Sequence, residues 1–402
     1  MSHDCTVSIL VNPEHAFPIG AAVTLRELEL DPHPVLARLR EREPVSWLPA
    51  LDAWLVTRRD LALQVMRDDE TFTVDDPRFS TGRVVGPSML TRDGDEHDRH
   101  RGPFARPFRL ASVRERFTAF VAEETDRLID AIEPAGQAEL RRALAGPLAA
   151  ATMARALGLE RTDTADVLSW YDAIVDSVTG VAAGKPVTAA GAEAFAALGA
   201  SIQPVLDGDP EASLLATAAG DAGGLSRDEV VSNAGVLLFG GIETTEGMIA
   251  NAALHLLSSP DQLELVRDDR ALVAGAVEES LRLEPAAAVV DRYATREVSL
   301  GGADIARGDL VEVSLAGANR DPETFADPDR FDVRRVEARL QVGFAHGPHV
   351  CIGMHLARLE AQTALLRLLD RLPRLRLDPA RPSAARGLVF RKPPELWTLW
   401  GD

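Results

Sequence analysis

One long helix limits what this chain can fold into. Ser226-Arg227-Asp228-Glu229 is a capping box, in which the Ser hydroxyl caps a free N–H and Glu229 reaches back. From there a helix runs to about Ser258, roughly 48 Å at 1.5 Å per residue. Its middle, residues 236–239, is apolar on every face, so the helix has to cross a core rather than lie on one. The apolar run then meets Gly240-Gly241-Ile242-Glu243-Thr244-Thr245. Each Gly costs about 1 kcal/mol against Ala in a helix, and a buried Glu costs more unless it finds partners. The stretch is either a kink with Glu243 on a solvated face or a helix loosened to admit a small ligand. In the second reading Thr244 donates a hydrogen bond to that ligand and Glu243 relays protons.

Around this helix the chain reads as mostly helical from about 59 to 285, where Ala and Leu abound and β-branched runs are rare. Residues 1–60 read as turns with short strand-like pieces, and 45–47 and 54–57 flank Pro49 as a hairpin. Ser259-Pro260 offers the next helix an N-cap with Pro in its first position. After Pro285, residues 298–300, 303–305 and 310–315 read as a small antiparallel sheet. Residues 319–350 read as a long ordered loop, a length uncommon unless functional. A last long helix begins just after Cys351, with its apolar stripe on Ala357, Ala361, Leu365 and Leu368. Residues 387–400 read as strand and turn. The expected fold is mainly α with small antiparallel β sheets. It forms one domain over residues 1–402, with a helical lobe and a smaller β lobe.

The charge balance, 43 basic against 62 acidic residues for a net −19, argues against nucleic acid as a partner. No stretch of about 18 apolar residues is present to span a membrane. The start, Met1-Ser2-His3-Asp4, lacks a signal-peptide pattern, so a cytoplasmic protein is expected. Two cysteines, Cys5 and Cys351, do not make a disulfide framework. Cys5 sits in a terminus expected to fray and has no assigned role.

Cys351 stands apart because of its neighbours, Phe344-Ala345-His346-Gly347-Pro348-His349-Val350-Cys351-Ile352-Gly353. It follows a Gly-Pro turn and precedes a helix, whose N-terminus stabilises a thiolate. Gly353 lets a flat ligand or a neighbouring backbone come close. Such a thiolate is either a nucleophile, with His346 or His349 as base, or a metal ligand of the kind that suits haem iron. A lone buried Cys is more often structural, so the other motifs carry the decision. Glu279 and Arg282 share a helix face at i,i+3 and can pair, a pattern common on solvated helices. His97-Asp98-Arg99-His100-Arg101, with Asp95 and Glu96, superficially suggests a metal cluster. Arg99 and Arg101 disfavour a cation there and suit the carboxylates of a buried cofactor instead.

In this order and at these separations the motifs resemble the cytochrome P-450 family, from about His97 to Gly353. The stretch Asn319-Arg320-Asp321-Pro322, followed by Phe325-Ala326-Asp327-Pro328-Asp329-Arg330-Phe331-Asp332, is similar to the family's run before its cysteine loop. The resemblance implies a long central helix over haem b (iron protoporphyrin IX), with Cys351 as the iron ligand and Phe344 and Gly353 in its loop. It implies His97, Arg101, Arg292 and His349 at the haem propionates. Gly241, Glu243 and Thr244 would line the oxygen pocket, with Thr244 bonding dioxygen and Glu243 helping deliver protons. Glu279 and Arg282 would form a structural network with Arg330 or Arg335. The family usually has Gly where this chain has Ala345; if that site needs φ > 0, Ala adds strain of order 1 kcal/mol.

The implied activity is that of a soluble, bacterial-type monooxygenase. It inserts one oxygen atom from dioxygen into a small apolar organic substrate by hydroxylation or epoxidation. Electrons would come from a separate ferredoxin and ferredoxin reductase, docked near Cys351 on Arg101, Arg106, Arg109, Arg358 and Arg339. Singly, each of these arginines also reads as scattered surface charge. A thiol enzyme with Cys351 as nucleophile leaves the Gly–Glu–Thr helix unexplained. A haem sensor would not need Glu243 or Thr244. Segments 79–90, 165–195, 238–239, 286–290 and 388–390 are the expected substrate pocket. Within them Leu238, Phe239, Ala287, Val289, Val290 and Val389 are its apolar lining, and plain core packing is the bland alternative for each.

Overall fold

The computed structural model describes residues 16–182, 184–208, 214–220 and 224–401. Cys5 lies outside these residues. The numbered helices start at α1 (His33–Arg42), with α2 (Arg59–Arg67), α3 (Ser80–Val85) and α4 (Gly94–Ala105) after it. They continue through α5 (Leu110–Ile132), α6 (Gly146–Leu157), α7 (Thr164–Ala182) and α8 (Ala189–Leu206) to the long central α9 (Arg227–Leu257). After it come α10 (Pro260–Asp268), α11 (Val273–Leu283) and α12 (Met354–Arg371).

α9 starts at Ser226, where both arms of the capping box form: Glu229 N–H donates to the Ser226 hydroxyl and Ser226 N–H to the Glu229 carboxylate. Its 31 residues span about 46 Å, and most are buried, as a helix apolar all round must be. It packs against α6, α11 and α12. Side chains from these four helices form the main core, among them Leu148, Ile242, Ile249, Val277, Leu365 and Leu368. The stripe read on α12 faces that core, with Ala361 and Leu368 fully buried. Ser259 makes no side-chain cap on α10, although Pro260 does open that helix.

The strands are β1 (Val45–Leu48), β2 (Ala53–Val56), β3 (Phe72–Thr73), β4 (Gln137–Glu139) and β5 (Val289–Ala294). They continue with β6 (Val298–Leu300), β7 (Ala303–Ile305), β8 (Leu310–Ser314), β9 (Arg376–Leu377) and β10 (Trp397–Leu399). The expected hairpin forms, with Val45 opposite Val56. Two expectations are corrected. Residues 1–60 are not turns and strands alone: short helices occupy Pro18–Ala21 and Leu25–Leu30, and α1 follows. The 298–315 region is not one antiparallel sheet either. β6 and β7 pair only with each other, while β8 joins a five-stranded sheet of order β1-β2-β8-β5-β3. There β8 runs antiparallel to β5 but parallel to β2, with Trp54 opposite Val311. Val311 and Val313 are fully buried, and this apolar face needed long-range partners that a local hairpin could not supply. Among the described residues no helix is long and apolar enough to cross a membrane.

Candidate functional site

A cavity of about 240 Å³, measured to the centres of water-sized molecules, lies between α9 and the loop that leads into α12. Cys351, Phe344, Ala345, His349 and Gly353 line it from the loop side, and Gly240, Gly241 and Thr244 from α9. The loop folds back on itself: Cys351 N–H donates to Phe344 O at 2.8 Å and Val350 N–H to Gly347 O at 3.1 Å. Gly347 has φ +76°, and a Cβ there would stand 2.2 Å from Met66 O, so only Gly fits. Ala345 has φ +57°, the left-handed conformation that burdens a residue with a Cβ. The Arg358 guanidinium lies 4.5 Å from the centre of the Phe344 ring.

Burial pushes the Cys351 thiol up, while the N–H groups of Gly353 and Met354 and the charges of Arg101 and Arg358 pull it back. Burial thus disfavours a free thiolate at this sulfur. His349 is not its base. The His349 ring bonds the Asp93 carboxylate at 2.6 Å and lies 4.3 Å from the His97 ring. Gly353 leaves open space, since a Cβ there would meet only Cys351 Sγ, at 4.0 Å.

Arg101 and His349 line the cavity, while buried His97 and Arg292 stand behind, His97 against the His349 ring and Arg292 close enough for its charge to act on it. Arg101 donates to Val350 O at 2.6 Å, and Arg292, 4% exposed, donates to Asp291 O at 2.7 Å. Both ring nitrogens of buried His97 lack a partner. Asp93, missed in the sequence, anchors this corner. Burial alone would raise its carboxyl. Bonds from His349, Thr73 and Val74 N–H outweigh that and hold it at about 2. The orphaned His97 ring and the guanidinium groups of buried Arg292 and half-buried Arg101 call for acceptors, and a flat iron porphyrin with carboxylate tails supplies them.

On the other wall, Thr244 Oγ1 donates to Gly240 O at 2.6 Å. A Cβ on Gly240 would meet nothing within 4 Å, whereas one on Gly241 would strike Met153 Sδ at 2.4 Å. Glu243 departs from expectation: it does not line the cavity. Its carboxylate pairs with Lys392 Nζ at 2.8 Å and accepts from the Tyr171 hydroxyl. Lys392 also pairs with Glu246, which Arg141 reaches at 3.0 Å. The phase of the helix turns Glu243 toward α7 and the C-terminal turn, where a cation and a phenol satisfy it. The carboxyl that does line the cavity is Glu360 of α12, 1% exposed. Its Oε2 lacks a partner, and burial raises it well above the usual carboxylate range. The only signal for it in the sequence was a Glu beside the apolar stripe.

Glu279 and Arg282, both fully buried, pair at 2.7 Å. Arg335 is the arginine that joins them, 2.9 Å from Glu279; exposed Arg330 contributes only its carbonyl oxygen, to Arg282 and Arg335. Of the expected pocket residues, Phe239, Ala287 and Val290 line the cavity. Leu238 does not: it is fully buried in the main core, on another face of α9. Val289 points to a separate small crevice on the opposite side of β5, and Val389 lines neither. Met89, Leu90, Phe108, Met153, Val236 and Leu315 are among the other apolar residues that line it.

A family model described as Cytochrome P450 matches residues 211–396. The cytochrome P450 monooxygenase PikC of Streptomyces venezuelae is 38% identical, over 88% of this chain and 86% of its own. The mycinamicin IV hydroxylase/epoxidase of Micromonospora griseorubida is 33% identical over 90% and 94%. Among solved structures, CalO2 superposes with a TM-score of 0.84 at 28% identity, covering 94% of this chain and 98% of that one.

Proposed function

Since this chain belongs to the cytochrome P450 family, whose members are monooxygenases built on haem b, we propose that it oxygenates an uncharged, largely apolar small molecule bound between Thr244 and the β5 end of its cavity. The observation that carries this is the wall itself. Its lining is mostly apolar, with Met89, Leu90, Phe239, Ala287, Val290 and Leu315 among it, and the charged residues in that lining are Arg101, bonded to Val350 O of the cysteine loop, and buried Glu360 of α12. The activity belongs to the family. Haem b supplies the redox chemistry: two electrons and two protons split dioxygen, one oxygen entering the substrate and one leaving as water.

The chain's own residues have separate tasks in this reading. Cys351 would hold the iron through its thiolate, and the Gly353 and Met354 N–H groups would steady that charge. His97, Arg101, Arg292 and His349 would hold the haem's carboxylate tails. Thr244, already bonded to Gly240 O, offers its hydroxyl at the open side of Gly240 and orders the proton donor there. Electrons come from a ferredoxin and its reductase, and the cytoplasm is the site of action. Exposed Arg106, Arg109 and Arg339 form no ion pair among the described residues, so they are available to an acidic carrier; Arg101 and Arg358 are already engaged.

One reconstitution tests the reading. The haem protein is supplied with a surrogate ferredoxin and reductase, at low and high salt, and with apolar candidates chosen by the spectral shift they induce. Thr244→Ala is expected to keep its haem and its substrate shift while product per electron pair falls about tenfold and peroxide rises. Reduction by the ferredoxin is expected to slow as salt rises. Unchanged coupling in the variant, or preference for charged over neutral candidates, contradicts the proposal.

A further inference from the structure

The cavity ends on one side at Phe239, and behind Phe239 stands a second ring. Phe239 and Phe390 meet edge to face, with centroids 5.6 Å apart and planes at 85°. Phe390 does not itself line the cavity; it backs the ring that does. On its remaining sides Phe239 belongs to an apolar cluster separate from the main core. Val84 and Val85 of α3, and Ile174 and Val178 of α7, make up that cluster. Phe239 therefore stands between the reaction cavity and the packed apolar side chains of α3 and α7.

The turn that carries Phe390 is bolted down. Ala288 N–H donates to Val389 O and Arg391 N–H to Ala286 O, both at 2.8 Å. The Arg391 side chain, 2% exposed, pairs with Glu284 at 2.7 Å and donates to Gly387 O at 2.6 Å and to the carbonyls of Leu28 and Glu29 at 3.1 Å. Gly387, at φ +114°, lets the backbone cross itself so tightly that a Cβ there would stand 2.0 Å from Phe390 O. Lys392 then ties the same turn to Glu243 on α9. The backbone beneath Phe390 is thus held in place, and the edge-to-face contact sets the Phe390 ring against Phe239.

We propose that the Phe239–Phe390 pair is a size filter: it caps the bulk of substrate that the cavity accepts on the side where Phe239 meets the apolar side chains of α3 and α7. The inference rests on the haem occupying this cavity, and the test separates the two. Azoles that coordinate haem iron report fit by their spectral shift without turnover or knowledge of the natural substrate. The haem-loaded protein is titrated with imidazole, 4-phenylimidazole and the trityl-bearing clotrimazole. Phe239→Ala is expected to raise affinity for clotrimazole relative to imidazole by about tenfold or more. Phe390→Ala is expected to shift the ratio in the same direction by less, because the unbacked Phe239 ring can then tilt. Val389→Ala, outside the cavity, is expected to leave it unchanged, and Phe239→Leu with Phe390→Leu serves if an alanine variant fails to fold. An unchanged ratio in Phe239 variants that retain their haem spectrum overturns the filter. A shift in Phe239 variants without one in Phe390 variants overturns the pair. If no azole shifts the unaltered protein, the haem reading fails instead.

Discussion

At the scale of single residues, the site is written in positions where a side chain is out of place for packing alone. Ala345 is one: its φ of +57° is where Gly is at ease. The strain expected there from the sequence is present in the backbone. Ala345→Gly is expected to stabilise the haem protein by about 0.5–1 kcal/mol in denaturant unfolding; a loss of stability would mean that the Cβ's packing outweighs the strain. Glu243 shows the limit of reading residues singly. Its position in α9 suggested a group facing the oxygen side, yet its partners are Tyr171 and Lys392, far away in the chain. Nothing local in the sequence announces which face a distant lysine will take. Asp93 and Glu360 were missed for the same reason, being acids whose roles depend on what the fold brings beside them.

At the scale of elements, α9 was legible almost to the residue, because a capping box, an apolar middle and a polar end agree. β8 was not, because strand pairing is decided by distant partners rather than by the strand itself. The loop before Cys351 lies between these cases. Its need for an arginine to meet Glu279 and Arg282 was readable, but Arg330 and Arg335 looked alike. The fold chooses Arg335, whose guanidinium also caps the carbonyls of Ala326 and Asp327. Arg335→Ala is expected to cost about 3 kcal/mol, since it strips a partner from a buried carboxylate, while Arg330→Ala costs within about 0.5 kcal/mol. Equal losses in chemical denaturation would refute the distinction. In the five-stranded sheet Asp291 of β5 faces Glu312 of β8. Neither carboxylate has a hydrogen-bond or ion-pair partner among the described side chains, and burial, then Asp291, pushes Glu312 up to about 8. A carboxyl raised on folding favours the folded state while protonated. Its contribution is full below the ordinary value near 4.5 and is lost as pH climbs through about 8. Glu312→Gln is thus expected to flatten the alkaline fall in melting temperature, gaining of order 1–2 kcal/mol at pH 9 after allowance for partial exposure. An alkaline fall identical in the variant would show that Glu312 is not its source.

At the scale of the molecule, a mainly helical body is laid over one crossing helix, and a small sheet supplies the wall where Val290 and Arg292 sit on one strand. The family and the chemistry could be read from the order and spacing of motifs. The cavity's shape could not, because it depends on which of several apolar residues turn inward: Phe239 does and Leu238 does not. Everything in the functional reading hangs from one bond, that between Cys351 and haem iron. The most direct test is the absorption spectrum of the purified protein, reduced and exposed to carbon monoxide, beside that of Cys351→Ser. A strongly red-shifted Soret band in the parent, absent from the variant, is the expected result. A parent that takes up haem but shows no such shift, or a variant that keeps it, would contradict thiolate ligation by Cys351.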